Sequence, residues 1–121
     1  MGFLDKLTKR PYRDVSPAEA LEAVERGRAL LVDVREPNEW HSGHAPRARH
    51  IPLGQLADRA DELPQGREVM LVCRSGSRSA RAAGMLAGRR PDVANVRGGM
   101  AAWAAEGLPV VAKGGGPGRV A

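Results

Sequence analysis

Two short apolar runs, each followed directly by a polar segment, constrain the fold of this 121-residue chain most strongly. Residues 29–34 read ALLVDV, and residues 68–72 read EVMLV. A strand that is apolar along nearly its whole length is typical of a parallel sheet covered on both faces. Because the other apolar segments alternate with helical patterns, we expect a single α/β domain, with a central, mainly parallel sheet flanked by helices on both faces.

Helix and strand signals along the chain fit this plan. Ser16, Pro17 and Glu19 combine a capping box with proline at the first helical position, so they predict a helix that ends at Gly27. One helical turn is expected near Trp40. Further helices are predicted over residues 56–63, 79–89 and 100–106, and further strands over residues 12–15, 50–53 and 93–96.

The length of the chain allows one hydrophobic core and therefore one domain. We expect residues 1–10 to form an N-terminal lead-in and residues 11–111 to form the domain. Residues 112–121 read AKGGGPGRVA, a composition typical of a flexible tail.

Charge and cysteine usage narrow the function classes. The net charge is +5, but no basic run is longer than two residues and aromatic residues are scarce, which disfavours nucleic-acid binding. A single cysteine excludes an intramolecular disulfide and a cysteine-rich zinc site, and it favours a reducing, cytoplasmic setting. No apolar run approaches the roughly 20 residues of a membrane span, so we expect no membrane contact.

The only cysteine, Cys73, stands where the second apolar run ends. The polar loop that follows it leads into an alanine-rich helix, and we expect Gly76 in that loop to adopt a backbone angle closed to other residues. Backbone N–H groups of such a loop and the positive end of the helix dipole favour an anion. We therefore expect a lowered pKa for the Cys73 thiol and a nucleophilic role. Asp33 follows the first apolar run, so both residues fall at strand ends where ligands bind in parallel sheets.

Four groups of residues, in order along the chain, point to one family. They are residues 31–36 (LVDVRE) with Glu39-Trp40 and Gly43-His44, residues 50–53 (HIPL), residues 73–79 (CRSGSRS), and Gly98-Gly99 with Trp103 and residues 107–109 (GLP). Together they resemble the single-domain rhodaneses, which are thiosulfate sulfurtransferase-like proteins, over about residues 12–110.

The resemblance implies a reaction. Cys73 would take the outer sulfur of thiosulfate or a similar donor as a persulfide and pass it to a thiol or cyanide, with no cofactor or metal. The loop amides from Arg74 to Arg78 would hold the anionic substrate. Both arginines are also expected to attract that anion through their charge. Ser75 and Ser77 are candidate donors to the persulfide, although Ser77 and Ser79 also suit a helix cap.

Other residues near the loop have structural interpretations. We expect Asp33 and Arg35 to pair and brace the loop, and Glu39 is a second candidate partner for Arg35. His41 lies three residues before another histidine, but with no third ligand nearby we expect no metal site. Arg47 stands where the family commonly has a glycine, which puts the shape of one pocket wall in question.

Other functions remain open at this point. A cysteine phosphatase or arsenate reductase uses a similar loop with five residues between cysteine and arginine, whereas four residues separate Cys73 from Arg78. A rhodanese-like module that carries a persulfide for a protein partner, or regulates one, is the other alternative. Because the chain has no second cysteine, the sulfur acceptor must be a small thiol, cyanide or a partner's cysteine.

Overall fold

Five parallel strands form one sheet in the computed structural model, which describes residues 11–121. The lead-in predicted over residues 1–10 lies outside the described residues. The strands are β1 (Arg13–Val15), β2 (Ala29–Asp33), β3 (Arg49–His50), β4 (Glu68–Val72) and β5 (Val93–Val96). They lie in the order β1-β5-β4-β2-β3, and each neighbouring pair is parallel. The predicted α/β fold with a parallel sheet is confirmed.

Five α-helices connect these strands. They are α1 (Pro17–Glu25), α2 (Pro37–Ser42), α3 (Leu53–Arg59), α4 (Ser77–Ala87) and α5 (Gly99–Ala105), and a 3₁₀ turn (Ala60–Glu62) extends α3. The predicted capping box is present, because Ser16 Oγ accepts from the backbone N–H of Glu19 and the Glu19 carboxylate accepts from that of Ser16. It determines where α1 begins.

Several predicted boundaries differ from the structure, and two of these differences have a clear physical reason. Helix α3 begins at Leu53, three residues before the predicted start, because Pro52 occupies the N-cap position and shortens the preceding strand. Helix α4 begins at Ser77 and not at residue 79, because the backbone of Gly76 turns the chain directly into the helix.

Side chains alternate between the two faces of the sheet and form two core layers. In β4, Met70 and Val72 pack with Val24 of α1 and Trp103 of α5. The residues between them belong to the second layer, whose fully or almost fully buried members include Val69, Leu71, Ile51, Leu56, Ala82 and Leu86. Helices therefore cover both faces, as an all-parallel sheet requires.

Residues 112–121, expected as a flexible tail, fold back onto the domain. Val111 pairs with His44 in an antiparallel bridge and with Pro117 in a second one. The N–H of Arg119 donates to the carbonyl of Ser42 over 2.9 Å, and Val120 packs against the core layer that contains Trp103. The segment expected to form the tail therefore lies against the domain. Its backbone has partners that its composition does not reveal, because glycine and proline occupy a hairpin as readily as a disordered segment.

Candidate active site

The site is built where β2 and β4 end. These strands are neighbours, and Asp33 at the end of β2 is in register with Val72 at the end of β4. Cys73 is the next residue along the chain, so the topology brings the thiol and the carboxylate to the same edge of the sheet, as predicted.

The Cys73 sulfur lies inside a ring of hydrogen-bond donors. Its Sγ accepts from the backbone N–H of Gly76 over 3.1 Å and from the hydroxyl of Ser79 over 3.3 Å. Cys73 is only 1% exposed. The loop after β4 turns over the sulfur, and Gly76 makes this possible with a φ of 109°, the left-handed angle predicted for it.

The surroundings of Cys73 act on its pKa in opposite directions. Burial alone raises the pKa of the thiol, because it disfavours the charged form. Hydrogen bonds from the Ser79 hydroxyl and from the backbone N–H groups of Ser79, Gly76 and Ser75 favour the thiolate. The net pKa of Cys73 is lower than its ordinary value, in the predicted direction. A buried sulfur whose charge is stabilised by donors is suited to nucleophilic attack.

The first turn of α5 holds the cysteine loop from behind. The N–H of Met100 donates to the carbonyl of Cys73 over 2.7 Å, and that of Ala101 donates to the carbonyl of Arg74 over 2.9 Å. A Cβ atom at Gly99 would lie 2.6 Å from the Arg74 carbonyl oxygen, and the φ of Gly99 is +60°. The Gly98-Gly99 pair seen in the sequence therefore allows the backbone of α5 to approach the loop.

Asp33 and Arg35 form a fully buried ion pair, and the predicted pairing is present. Arg35 Nη2 donates to Asp33 Oδ2 over 2.8 Å and also to the carbonyl of Gly43 over 2.6 Å. Asp33 Oδ1 also accepts from the backbone N–H of Arg35 over 3.0 Å. The pair thus joins the end of β2 to the end of α2. Buried pairs of this kind are costly to break on one side.

Glu39 pairs with Arg78 and not, as one alternative proposed, with Arg35. Arg78 Nη1 and Nη2 donate to the two carboxylate oxygens of Glu39 over 2.7 and 2.9 Å. The hydrogen bonds and charge of Arg78 lower the pKa of Glu39 from 4.5 to about 2. This ion pair connects α2 to the first turn of α4. Arg78, predicted as a substrate-binding residue, therefore already holds a carboxylate.

The remaining predicted loop residues point outward. Arg74, Ser75 and Ser77 are exposed. Arg74 Nε donates to the backbone oxygen of Ala121 over 2.6 Å, so one face of its guanidinium is occupied by the C-terminal segment.

Ser79 is the site residue whose role sequence reasoning missed. It is fully buried, and its hydroxyl lies within hydrogen-bond distance of both the Cys73 sulfur and the Gly76 carbonyl oxygen. We expected it only as a helix cap. The available signal was a hydroxyl in the first turn of the helix that follows the cysteine loop, because that turn faces the loop.

Comparison with known proteins places the chain in a family. The model of the Rhodanese-like domain family matches residues 16–106. The chain belongs to this family. It is 45% identical over 87 residues to a sulfurtransferase of Allochromatium vinosum, covering 69% of this chain and 78% of that protein. It is 33% identical over 95 residues to the thiosulfate sulfurtransferase GlpE of Pseudomonas putida, covering 78% and 86% of the two chains.

A solved structure agrees with this assignment. The crystal structure of a rhodanese-related protein from Thermoplasma volcanium superposes with a TM-score of 0.77 and 31% identity. The match covers 83% of this chain and 98% of that one. The fold of this rhodanese-like domain is therefore the fold of its relatives.

Arg47 shows how this rhodanese-like domain accommodates a residue where glycine is common. Pro46 and Arg47 are the central residues of a turn closed by a 3.2 Å hydrogen bond from the N–H of Ala48 to the carbonyl of Ala45. Arg47 has a φ of 67°, and it is the one residue other than glycine among residues 11–121 with a positive φ. Proline followed by a left-handed residue is typical of a type II turn. The turn therefore forms with arginine at its left-handed position, at some cost in backbone strain.

Trp40 joins α2 to the two segments that flank it. Its ring stacks on that of His44 with a centroid distance of 3.6 Å, and on that of His50 with a distance of 4.8 Å. His50 Nε2 lies 2.7 Å from the carbonyl oxygen of Arg35. These contacts hold the helix that carries Glu39.

Residues 11–121 contain neither a cluster of metal ligands nor a membrane-spanning helix. No group of three or more histidine, cysteine or acidic residues lies close enough together to hold a metal ion. No helix in this part of the chain is both long and apolar enough to cross a bilayer.

Proposed function

We propose that this rhodanese-like domain is a thiosulfate sulfurtransferase in which Cys73 carries the sulfur as a persulfide. The observation that carries the proposal is the pair of hydrogen bonds to the Cys73 sulfur from Gly76 and Ser79. They lower the pKa of a thiol that burial alone would keep protonated. Such donors also suit the negative charge of a persulfide on the same residue.

The first half of the reaction loads the sulfur. The Cys73 thiolate attacks the outer sulfur of thiosulfate, an S–S bond forms between them, and the S–S bond inside thiosulfate breaks. Sulfite leaves with the electron pair, and the single negative charge of the thiolate moves to the terminal sulfur of the persulfide. The donors around the Cys73 sulfur are the backbone N–H groups of Ser75, Gly76 and Ser79 and the hydroxyl of Ser79, while the side chains of Ser75 and Ser77 are exposed.

The second half unloads the sulfur. Cyanide or a thiolate attacks the terminal sulfur, the S–S bond to Cys73 breaks, and the Cys73 thiolate is regenerated. Because Cys73 is the only cysteine of the sequence, the acceptor thiol belongs to a small molecule or to a partner protein. A reducing, cytoplasmic setting suits such an unprotected thiolate.

In this proposal the two arginines have different roles. Arg74 is exposed and its charge attracts an incoming anion, while its Nε becomes a donor to that anion once the Ala121 oxygen is displaced. Arg78 donates hydrogen bonds to Glu39 and so positions the start of α4, while its charge still acts on Cys73. The ion pair of Asp33 and Arg35 supports the site by joining the end of β2 to the end of α2.

Mass spectrometry after incubation with thiosulfate tests the proposal directly. The intact chain should gain one sulfur atom on Cys73, and cyanide should then release it as thiocyanate. Cys73→Ser should show neither the added mass nor thiocyanate formation, because an alcohol at this position is a far weaker nucleophile than a thiolate. Thiocyanate formation by Cys73→Ser would refute the mechanism.

Two alternatives give different results in the same experiment. A persulfide carrier for a protein partner would gain the sulfur but turn over thiosulfate and cyanide only slowly. A cysteine phosphatase would hydrolyse an aryl phosphate and gain no sulfur. The four-residue spacing between Cys73 and Arg78, together with the bond from Arg78 to Glu39, favours sulfur transfer over phosphoryl transfer.

A further inference from the structure

The C-terminal segment reaches the cysteine loop from outside the part of the chain that the family model matches. That match ends at residue 106. Beyond it, residues 111–118 form a hairpin in which the N–H of Gly118 donates to the carbonyl of Val110 over 3.1 Å. The next residues run from Ser42, which accepts from Arg119, to Arg74, which donates to Ala121. Residues 117–121 thus cross from the end of α2 to the loop that holds the nucleophile.

Two features limit access to the cysteine loop. Cys73 is 1% exposed, although its sulfur must meet both a donor and an acceptor. Arg74, the exposed cation of the loop, is held at 2.6 Å by a backbone oxygen of the C-terminal segment. An anion that binds Arg74 through Nε must first displace that oxygen.

We propose that residues 117–121 form a strap that determines which reagents reach Cys73, by closing one side of the loop and by occupying Arg74. The physiological meaning of the strap rests on the proposed sulfurtransferase function, but its effect on the thiol does not. Displacement of the strap frees a guanidinium, whose pairing with an anion is a strong, charge-assisted interaction. With the strap in place, an anionic donor must compete with Ala121 for Arg74 Nε, so the strap weakens the attraction of Arg74 for such a donor.

The strap is attached in a way that allows it to move. Pro117, Arg119 and Ala121 are exposed, and only Val120 packs partly against the core. A cavity of about 480 Å³ lies beside these residues and Ser42. Residues 117–121 can therefore shift without exposing the fully buried side chains of the two core layers.

Two glycines of the hairpin provide a matched pair of variants. A Cβ atom at Gly118 would lie 2.6 Å from the carbonyl carbon of Val111, so Gly118→Ala must push the two sides of the hairpin apart. A Cβ atom at Gly116 would meet no atom within 4 Å, so Gly116→Ala should leave the strap in place. Both variants keep the full chain and every charge.

The experiment measures alkylation of Cys73, the only cysteine, by neutral iodoacetamide and by anionic iodoacetate. Gly118→Ala, and a second variant that lacks residues 117–121, should react with iodoacetamide at least about threefold faster than the wild type or Gly116→Ala. The ratio of iodoacetate to iodoacetamide rates should also rise by about threefold, since a freed exposed cation contributes somewhat less than 1 kcal/mol to an encounter with an anion. Adding Arg74→Gln to the shortened chain should remove the rise in the ratio.

The outcomes separate the strap from the proposed function. Equal alkylation rates in all four proteins, with unchanged thermal unfolding, would overturn the strap even if thiosulfate is turned over. A rise in the rate ratio that survives Arg74→Gln would overturn the role given to Arg74. Faster alkylation of the two strap variants, without thiocyanate formation by any protein, would support the strap and refute the sulfurtransferase proposal. With turnover, the KM for thiosulfate should fall in the two strap variants.

Discussion

The neighbouring strands β2 and β4 lead into side chains that can carry a negative charge, and the two charges are stabilised by different kinds of partner. At the end of β2, the carboxylate of Asp33 is held by the guanidinium of Arg35 through several hydrogen bonds. After β4, the sulfur of Cys73 is held by neutral donors, an N–H and a hydroxyl. A full opposite charge makes Asp33 a fixed structural group. Neutral donors stabilise the thiolate of Cys73 but leave its charge available to attack a substrate.

The largest effect should come from breaking the charged pair on one side. Arg35→Ala leaves Asp33 fully buried without its partner, and we expect the free energy of unfolding to fall by about 3–5 kcal/mol. Urea denaturation measures this change. Arg28→Ala, at a side chain that is 66% exposed, is the control and should cost less than about 0.5 kcal/mol. A loss below about 1 kcal/mol for Arg35→Ala would show that the pair is not the support described here.

The next largest effect is expected from the ion pair of Glu39 and Arg78, which connects α2 to the first turn of α4. The pKa of Glu39 in the folded protein is about 2, below its ordinary value of 4.5. A lowered pKa gives stability that is fully present above pH 4.5 and is lost as the pH falls toward 2. Because Arg78 is 32% exposed, solvent screening reduces the contribution to about 1–2 kcal/mol.

Glu39→Gln tests this link through the pH dependence of unfolding. At neutral pH the wild type should be the more stable protein, and the two stability curves should converge as the pH falls from 4.5 to about 2. Glu106→Gln changes an exposed carboxylate on the far side of α5 and is the control. Curves for wild type and Glu39→Gln that stay parallel over this range would contradict the assigned pairing.

A third change weakens the neutral side of the comparison. Ser79→Ala removes one donor to the Cys73 sulfur, so the pKa of Cys73 should rise. A hydrogen bond of this kind contributes about 1 kcal/mol, which corresponds to about fivefold slower alkylation at pH values below the pKa of Cys73. The pH profile of iodoacetamide alkylation measures the change. Ser77→Ala alters an exposed hydroxyl of the same loop and should leave the profile unchanged.

The smallest change in stability is expected at Arg47, in the turn between α2 and β3. Arg47→Gly should raise the free energy of unfolding by about 0.5–1 kcal/mol, because glycine adopts the φ of 67° without strain. Arg47→Ala removes the same charge but keeps the strain, so it separates the two causes. An equal gain in both variants would attribute the effect to charge. Thermal unfolding of the two variants and the wild type provides the comparison.

The existence of the five strands, and the position of Cys73 at the end of one of them, could be predicted from the sequence alone. Residues 68–72 and 93–96 were predicted with the bounds that the structure shows, because continuous apolar runs bounded by polar residues report directly on burial. Cys73 falls at the end of one such run, so its position at the edge of the sheet follows from the fold class. The angle of Gly76 was also predictable, since a tight loop before a helix requires one.

Which side chains meet at that edge depends on long-range contacts that the sequence does not show. Arg78 pairs with Glu39, which lies 39 positions away in the sequence, and Arg74 donates a hydrogen bond to Ala121, which lies 47 positions away. Neither choice has a local signal, because a charged side chain can pair with any opposite group or free oxygen that folding brings within reach. The burial of Cys73 was decided in the same way. A pattern of residues shows where a thiol emerges from the sheet, but the surrounding loops determine how much of it remains open to a reagent.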